Sequence, residues 1–329
     1  MKHPLKHIVE YVLLRALAAL LRAVPYRGAL FIGYCVAWCA FYIFSFRVRE
    51  AKRRIMEVFG QRFSKSEVRH IAWISWRNFI FTEVETIRLP VSSRKWVQTI
   101  VDDDKTAFTV TDWCKTGKGG IIATAHMGSW EMAILACLAY DIPLFSLGAP
   151  QKNKLVNDFL NRARAKTGFE TIMRSPSVIK IIIRNIRKGK ILAILSDVRG
   201  KTDALPIKFL GKTANVAEGM GFIAHQTNVP VFPAIITRIG WGRHKYLVFD
   251  PIFPDPQVDK KTDALRITQS FFDILSQKVQ NAPEQWFWFN RRWIFDPIKK
   301  DKARNQESEL KPPDNIGGNG HENSGTSST

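Results

Sequence analysis

Residues 121–132 read IIATAHMGSWEM, a strand, a turn and the start of a helix in one dozen residues. Isoleucine, alanine and threonine make an apolar run of strand character that stops at His126. Gly128 permits a sharp exit, and Ser129 is placed to cap a helix opening at Trp130. A strand, a turn and a helix in such quick succession form the repeating unit of an α/β sheet protein, where reactive side chains gather at strand ends. His126 stands at that end, and Glu131 follows in the first helical turn, near enough to aim its carboxylate at the imidazole. An imidazole titrates near ~6.5, so at neutral pH it can take a proton from an attacking hydroxyl. A carboxylate partner would fix its tautomer and stabilise the imidazolium that forms.

Working outward, the alternation continues from residue 119 onward. Strands are expected at 121–125, 144–147, 191–196, 231–237 and 246–249, with helices at 131–139, 153–166, 177–188, 217–227 and 262–280. This order predicts an α/β fold with one central mixed sheet flanked by helices. Upstream, residues 64–89 form a helical pattern, with Ser64 and Glu67 spaced as a capping box. Asn78 and Glu83 are its polar interruptions, expected on an exposed or hydrogen-bonding face. No internal repeat is present.

Residues 28–46, GALFIGYCVAWCAFYIFSF, are 19 consecutive uncharged residues between Arg27 and Arg47. That length just suffices to cross a bilayer. Its seven aromatic residues suit a helix lying in the interface equally well, so crossing and lying flat both stay open. The block is too long for a signal peptide, and no small-residue cleavage site follows. Both flanks are basic, which gives no orientation. Residues 8–24 interleave leucines and alanines with Arg15 and Arg22, an amphipathic pattern that suits an anionic membrane. Residues 47–54 are expected as a basic linker. The tail, containing KPPDNIGGNGHENSGTSST, lacks the apolar content needed to fold.

The 329 residues are 46% hydrophobic, enough for a substantial core, and carry a formal net charge of +20. Such an excess attracts polyanions: nucleic acid, acidic lipid headgroups or an acidic protein. Zinc-finger spacing and RNA-binding signatures are missing, and the basic residues flank apolar segments, which argues against nucleic acid. Cys35, Cys39, Cys114 and Cys137 form no CxxC pair, and no HExxH occurs. Neither a metal site nor a disulfide is expected, and a reducing compartment fits. Three other signals carry no weight. The GKT at 200–202 lacks the earlier glycine of a phosphate loop, since position 195 is Leu195. Gly219, Gly221 and Ala224 follow Ala217 and Glu218 where a dinucleotide fingerprint needs an apolar strand. Without a GxSxG elbow, Ser129 has no claim as an acyl-enzyme nucleophile.

His126 with Glu131 resembles the signature of the lysophospholipid acyltransferase superfamily, a His, four residues, then Asp or Glu. Its glutamate form, HX4E, together with APEQWFWFNRRW at 282–293, resembles the bacterial late acyltransferases of lipid A biosynthesis, the lauroyl and myristoyl transferase family. The likeness runs from residue 14 to residue 293. It implies a glycerolipid acyltransferase-like fold, catalysis by His126 and Glu131, and no cofactor or metal. It implies acyl–acyl carrier protein as donor, an anionic glycolipid precursor of lipid A as acceptor, and contact with membrane lipids but not nucleic acid. The implied location is the bacterial inner membrane, with the active site on the cytoplasmic side. The implied division is a membrane-anchoring helical segment at 1–54, an acyltransferase domain at 55–298 and a disordered tail at 299–329.

The segment PQKN at 150–153 resembles the family block after the second core strand, which implies headgroup contacts from Lys152 and Asn153. Here Gly148 or Ala149 stands where Arg is common, and Lys154 where Pro is common. Arg174 resembles a family arginine that meets the substrate or the developing oxyanion, a role its five donors and fixed charge suit. Asp197, followed by Phe209, Leu210, Gly211 and Ala214, resembles the family's strand, Asp and loop block. Val198 replaces the usual Gln or His, so Asp197 is expected to shape the site floor or bind Arg174 without moving protons. Asn290 stands where His is frequent, and Trp286, Trp288 and Trp293 are expected as packing, with Arg291 and Arg292 as cations near the anionic surface. The same chemistry could serve another acceptor: a lysophospholipid, a mannosylated phosphoinositide or an amino-acid lipid. A non-catalytic membrane-surface scaffold is the remaining alternative.

Overall fold

The central strands are rich in isoleucine, leucine and alanine because helices cover both faces of the sheet, leaving no solvated side to demand polar alternation. The computed structural model describes residues 4–148, 151–173, 175–200 and 204–297. It begins with helices α1 (Leu5–Ala23), α2 (Tyr26–Trp38), α3 (Val48–Phe59), α4 (Lys65–Arg88) and α5 (Arg94–Ile100). A short strand β1 (Val101–Asp102) and helix α6 (Phe108–Lys115) lead into β2 (Gly120–Thr124), α7 (Trp130–Ala139), β3 (Leu144–Gly148) and α8 (Lys154–Ala165). Next come β4 (Glu170–Met173), α9 (Val178–Arg187), β5 (Ile191–Leu195) and the hairpin β6 (Ala204–Phe209) and β7 (Lys212–Ala217). Helix α10 (Gly219–Thr227), strands β8 (Val231–Gly240) and β9 (Arg243–Val248), and α11 (Lys260–Asn281) complete it.

Seven strands form one mixed sheet in the order β1-β9-β8-β2-β5-β3-β4, parallel except for the antiparallel β8–β9 pair. Strand β2 is buried along its whole length. Its register against β5 pairs Thr124 with Leu195. The residues two places beyond each of these ends, His126 and Asp197, therefore emerge side by side.

The expected strands and helices are all present, with the capping box at Ser64 and Glu67 and the Ser129 cap formed as anticipated. Four strands were not anticipated. β1 and β4 are short edge pieces, and the β6–β7 hairpin falls in the segment expected as loop. Pro206 and Lys208 obscured an alternation that buries Leu205, Ile207 and Phe209. Ala217 ends β7, so α10 opens two residues later than expected. Residues 48–54, expected within a basic linker, begin α3. Arg54 is 2% exposed, donates to the carbonyls of Trp288 (2.9 Å) and Asn290 (2.8 Å), and lies 4.5 Å over the Trp293 ring. A cation in the sequence is thus a bolt in the fold, held by carbonyls and an aromatic face. Helices α1 and α2 share a core with α4, where Ala18, Leu21, Ala29 and Leu30 meet Phe81, Val84 and Ile87. At Gly33 a Cβ would come within 2.9 Å of Val84 Cγ2, so the glycine allows α2 to lie close on α4. The expected tail lies outside the described residues.

Candidate active site

The side chain of His126 is 19% exposed at the end of β2. Its Nδ1 lies 2.7 Å from Asp197 Oδ1, and its backbone N–H donates to Asp197 Oδ2 at 2.9 Å. The indole N–H of Trp286 donates to the same Oδ2 at 2.8 Å. A carboxylate can only accept, so Nδ1 carries the ring proton and Nε2 holds the free lone pair. Among the described residues, Nε2 has no protein partner. Asp197 is 3% exposed. Burial alone would raise its pKa, but His126, the Trp286 indole and the backbone N–H together hold it below the usual carboxylate range. The pair is an imidazole held in one orientation by the anion behind it, with Nε2 left able to accept a proton.

This corrects the expected pairing. Glu131 forms its ion pair with Arg164 of α8, at 2.8 Å, and Asp197 takes the place at the imidazole. Starting a helix after Ser129 carries Glu131 away from the dyad toward α8. Its Oε2 is buried without a hydrogen-bond partner among the described residues. Glu83 reaches solvent nearby, yet the crowding of protein around it and the Glu131 carboxylate push its carboxyl up to about 7, against the pull of Arg164. Glu131, Arg164 and Glu83 thus form an ionisable group separate from the dyad.

The turn between His126 and α7 is clamped at almost every polar atom. Phe287 N–H donates to His126 O at 2.9 Å, and Gly128 N–H donates to Gln285 O at 2.8 Å. Gly128 has φ +58°, and a Cβ there would meet Ile236 O at 2.3 Å, so only glycine fits. The ring of Trp130 meets His126 edge-on at 5.0 Å, and Phe79 stacks on Phe287 at 4.5 Å beside it. These partly exposed rings make an apolar wall next to the imidazole.

The other expected site residues divide. Lys152 is exposed, whereas Asn153 is buried and its polar atoms are engaged. Asn153 Nδ2 donates to His7 O and Glu10 Oε2, both at 2.9 Å, while its Oδ1 caps α8. Arg174 lies outside the described residues. Trp286, Trp288 and Trp293 are buried as expected, but Trp286 does more than pack, since it supports Asp197. Among the described residues, no cluster of three His, Cys, Asp or Glu side chains is placed to hold a metal ion. Asp197, expected to shape the site floor or bind Arg174, lies against His126 instead. The available signal was the matching two-residue overhang past IIAT and ILAIL.

Comparison with known proteins supplies a context for this geometry. A family model described as bacterial lipid A biosynthesis acyltransferase matches residues 1–294. A phosphatidylinositol mannoside acyltransferase of Mycolicibacterium smegmatis is 21% identical over 196 residues, covering 57% of this chain and 61% of the relative. A protein of the same name from Mycobacterium tuberculosis strain H37Rv is 20% identical over 194 residues, covering 57% of this chain and 58% of the relative. These alignments span about three-fifths of the relatives' own length. The family match takes in the His126 turn, Asp197 and the Trp286 segment alike, and the chain belongs to the bacterial lipid A biosynthesis acyltransferase family.

Proposed function

We propose that the protein is a membrane-surface acyltransferase in which His126, oriented by Asp197, is the general base. The observation that carries this reading is the 2.7 Å contact from Nδ1 to Asp197, which leaves Nε2 as the accepting nitrogen. Nε2 removes the proton of a lipid hydroxyl as that oxygen attacks the carbonyl of an acyl thioester. The tetrahedral intermediate expels the thiolate, and the imidazolium returns the proton to sulfur. No covalent enzyme intermediate is formed. A thioester is already activated, so positioning plus a base contributing ~10²- to 10⁴-fold suffices.

Family membership and the basic excess support acyl–acyl carrier protein as donor, a carrier whose acidic surface complements a net charge of +20. They support a lipid A precursor glycolipid as acceptor, at the cytoplasmic side of the inner membrane. A second reading, a mannosylated phosphoinositide acceptor, is favoured by the names of the relatives. Both acceptors join anionic groups to a sugar. Lys152 and Arg174 remain proposed substrate-side residues, while Glu131, expected to be catalytic at the imidazole, is proposed to act beside Arg164 instead.

Membrane contact is supported by an exposed apolar face. Leu5, Val9, Val12, Leu13, Leu17 and Leu20 of α1 are exposed, as are Phe31, Trp38, Ile43 and Phe44 of the next helical segment. Tyr26–Ile43 is long and apolar enough to cross a membrane, with mean hydropathy 1.3. One face of it, however, packs on α4, and Tyr26 donates to the buried Glu85 at 2.5 Å. A helix tied along one side to the catalytic domain lies best in the interface.

The test is to incubate purified protein with acyl–acyl carrier protein and a panel of acceptors, identifying products by mass. His126→Ala is expected to lose ~10²- to 10⁴-fold in transfer while keeping its fold and vesicle binding. Parent-level transfer by the folded variant would end the proposal. An acylated mannosylated phosphoinositide without acylated lipid A precursor would establish the second reading.

A further inference from the structure

Helix α4 carries a polar stripe that neither apolar packing nor the proposed chemistry uses directly: Ser75, Thr82 and Glu85, all 2% exposed or less. The three lie along one side of the helix, and each grips a segment flanking the dyad. Ser75 Oγ donates to Trp286 O at 2.6 Å and accepts from Trp288 N–H at 3.3 Å. Between those two residues, Phe287 holds the His126 carbonyl, and the Trp286 indole holds Asp197. Farther along, the single Thr82 hydroxyl proton is shared between Asn78 O at 2.9 Å and Gly128 O at 3.2 Å. Glu85 Oε2 accepts from the Ser129 hydroxyl. The glutamate is itself fixed, because Arg238 donates to both of its oxygens, at 2.8 and 2.9 Å.

We propose that α4 is a splint for the dyad, in which Ser75, Thr82 and Glu85 are positioning residues that hold the His126 turn and the Trp286 segment in register. The inference rests on the reading of His126 as the base. The turn could move with φ +58° at Gly128 as its pivot, and the Asp197 contacts alone fix only its strand side. The splint fixes the other side. Two supports at right spacing leave the imidazole one orientation, and misplacement of a base by an ångström costs ~10²-fold in rate.

The experiment compares parent, Ser75→Ala, Thr82→Val and Ser129→Ala, each assayed well below its melting temperature. Three quantities are read: kcat, KM for the acyl donor, and the proton NMR signal of His126 Nδ1–H, assigned by its loss in His126→Ala. Each variant is expected to lose ~10- to 100-fold in kcat, with KM within about twofold and the Nδ1–H signal shifted or broadened by exchange. Tyr26→Phe is the control, since it removes another donor from Glu85 without touching the turn. It is expected to keep kcat within about twofold. If folded Ser75→Ala, Thr82→Val and Ser129→Ala turn over at the parent rate with an unchanged signal, the splint is wrong. A Tyr26→Phe loss equal to that of Ser129→Ala also overturns it. Should Ser75→Ala or Ser129→Ala fail to fold, Thr82→Val, which keeps shape, decides the matter. Turnover by His126→Ala would remove the base reading instead, and the Nδ1–H signal would still judge the splint.

Discussion

Among the described residues three histidines lie beside carboxylates, His126 at Asp197, His225 at Asp263 and His244 at Glu85, and the first and last have opposite fates. At His126 the ring is partly open, and Asp197 spends both oxygens on the His126 segment and the indole behind it. At His244 the ring is 0% exposed, and Glu85 spends both oxygens on Arg238, leaving the imidazole 3.5 Å away. Burial, then Arg238, lower the pKa of His244 despite Glu85, so that ring is neutral and shut in. For Glu85, burial would raise the pKa, but the Arg238 guanidinium on both of its oxygens outweighs it and keeps the carboxylate charged. An imidazole beside a carboxylate is therefore not a base by composition. It becomes one when the carboxylate is free to orient it and its far nitrogen faces substrate.

Three substitutions separate the two pairs. The largest effect is expected at the closed pair. Arg238→Met strands a buried carboxylate, and breaking such a pair costs about 3–5 kcal/mol. Urea denaturation reads that loss, and a change below about 1 kcal/mol would mean that the pair is not structural. At the open pair, Asp197→Asn is expected to lower kcat ~10²-fold, equivalent to ~2.7 kcal/mol of barrier, because the amide no longer selects the Nδ1–H tautomer. The same variant tests the acid limb. The Asp197 pKa is lower folded than unfolded, so the stability it contributes is full above the ordinary carboxylate value of ~3.9 and is lost as pH falls through the folded value. Parent stability should thus fall more steeply than that of Asp197→Asn between pH 5 and pH 3, and parallel curves would contradict the lowered pKa. Smallest is His244→Gln, expected to leave kcat within about twofold at a stability cost of ~1 kcal/mol. A rate loss matching His126→Ala would erase the distinction.

Much of this was legible beforehand, and the reasons for the rest are physical. The His126 strand end, the turn glycine and the Ser129 cap are local features, written in adjacent residues. The α/β alternation and the Ser64 capping box are local too. The Asp197 contact depends on which strands are neighbours, since it joins residues 71 apart in sequence. Nothing in the strand sequences states that β2 lies beside β5. Glu131 misled because spacing fixes distance along the chain but not direction, and Arg164 of α8 draws it elsewhere. Arg54 and Glu85 look like surface charges in one dimension. Their burial becomes visible only once carbonyls and a guanidinium are found to receive them. The β6–β7 hairpin was hidden by a proline and lysines on its outward positions.

Chemical rescue of the His126→Ala variant asks whether the imidazole is the base. Folded protein, acyl–acyl carrier protein and a glycolipid acceptor are assayed with and without added imidazole, and the ester product is measured by mass. A small base in the vacated space should restore part of a transfer rate that is otherwise lost, in proportion to its unprotonated fraction. Full turnover by the variant without any added imidazole would contradict the account.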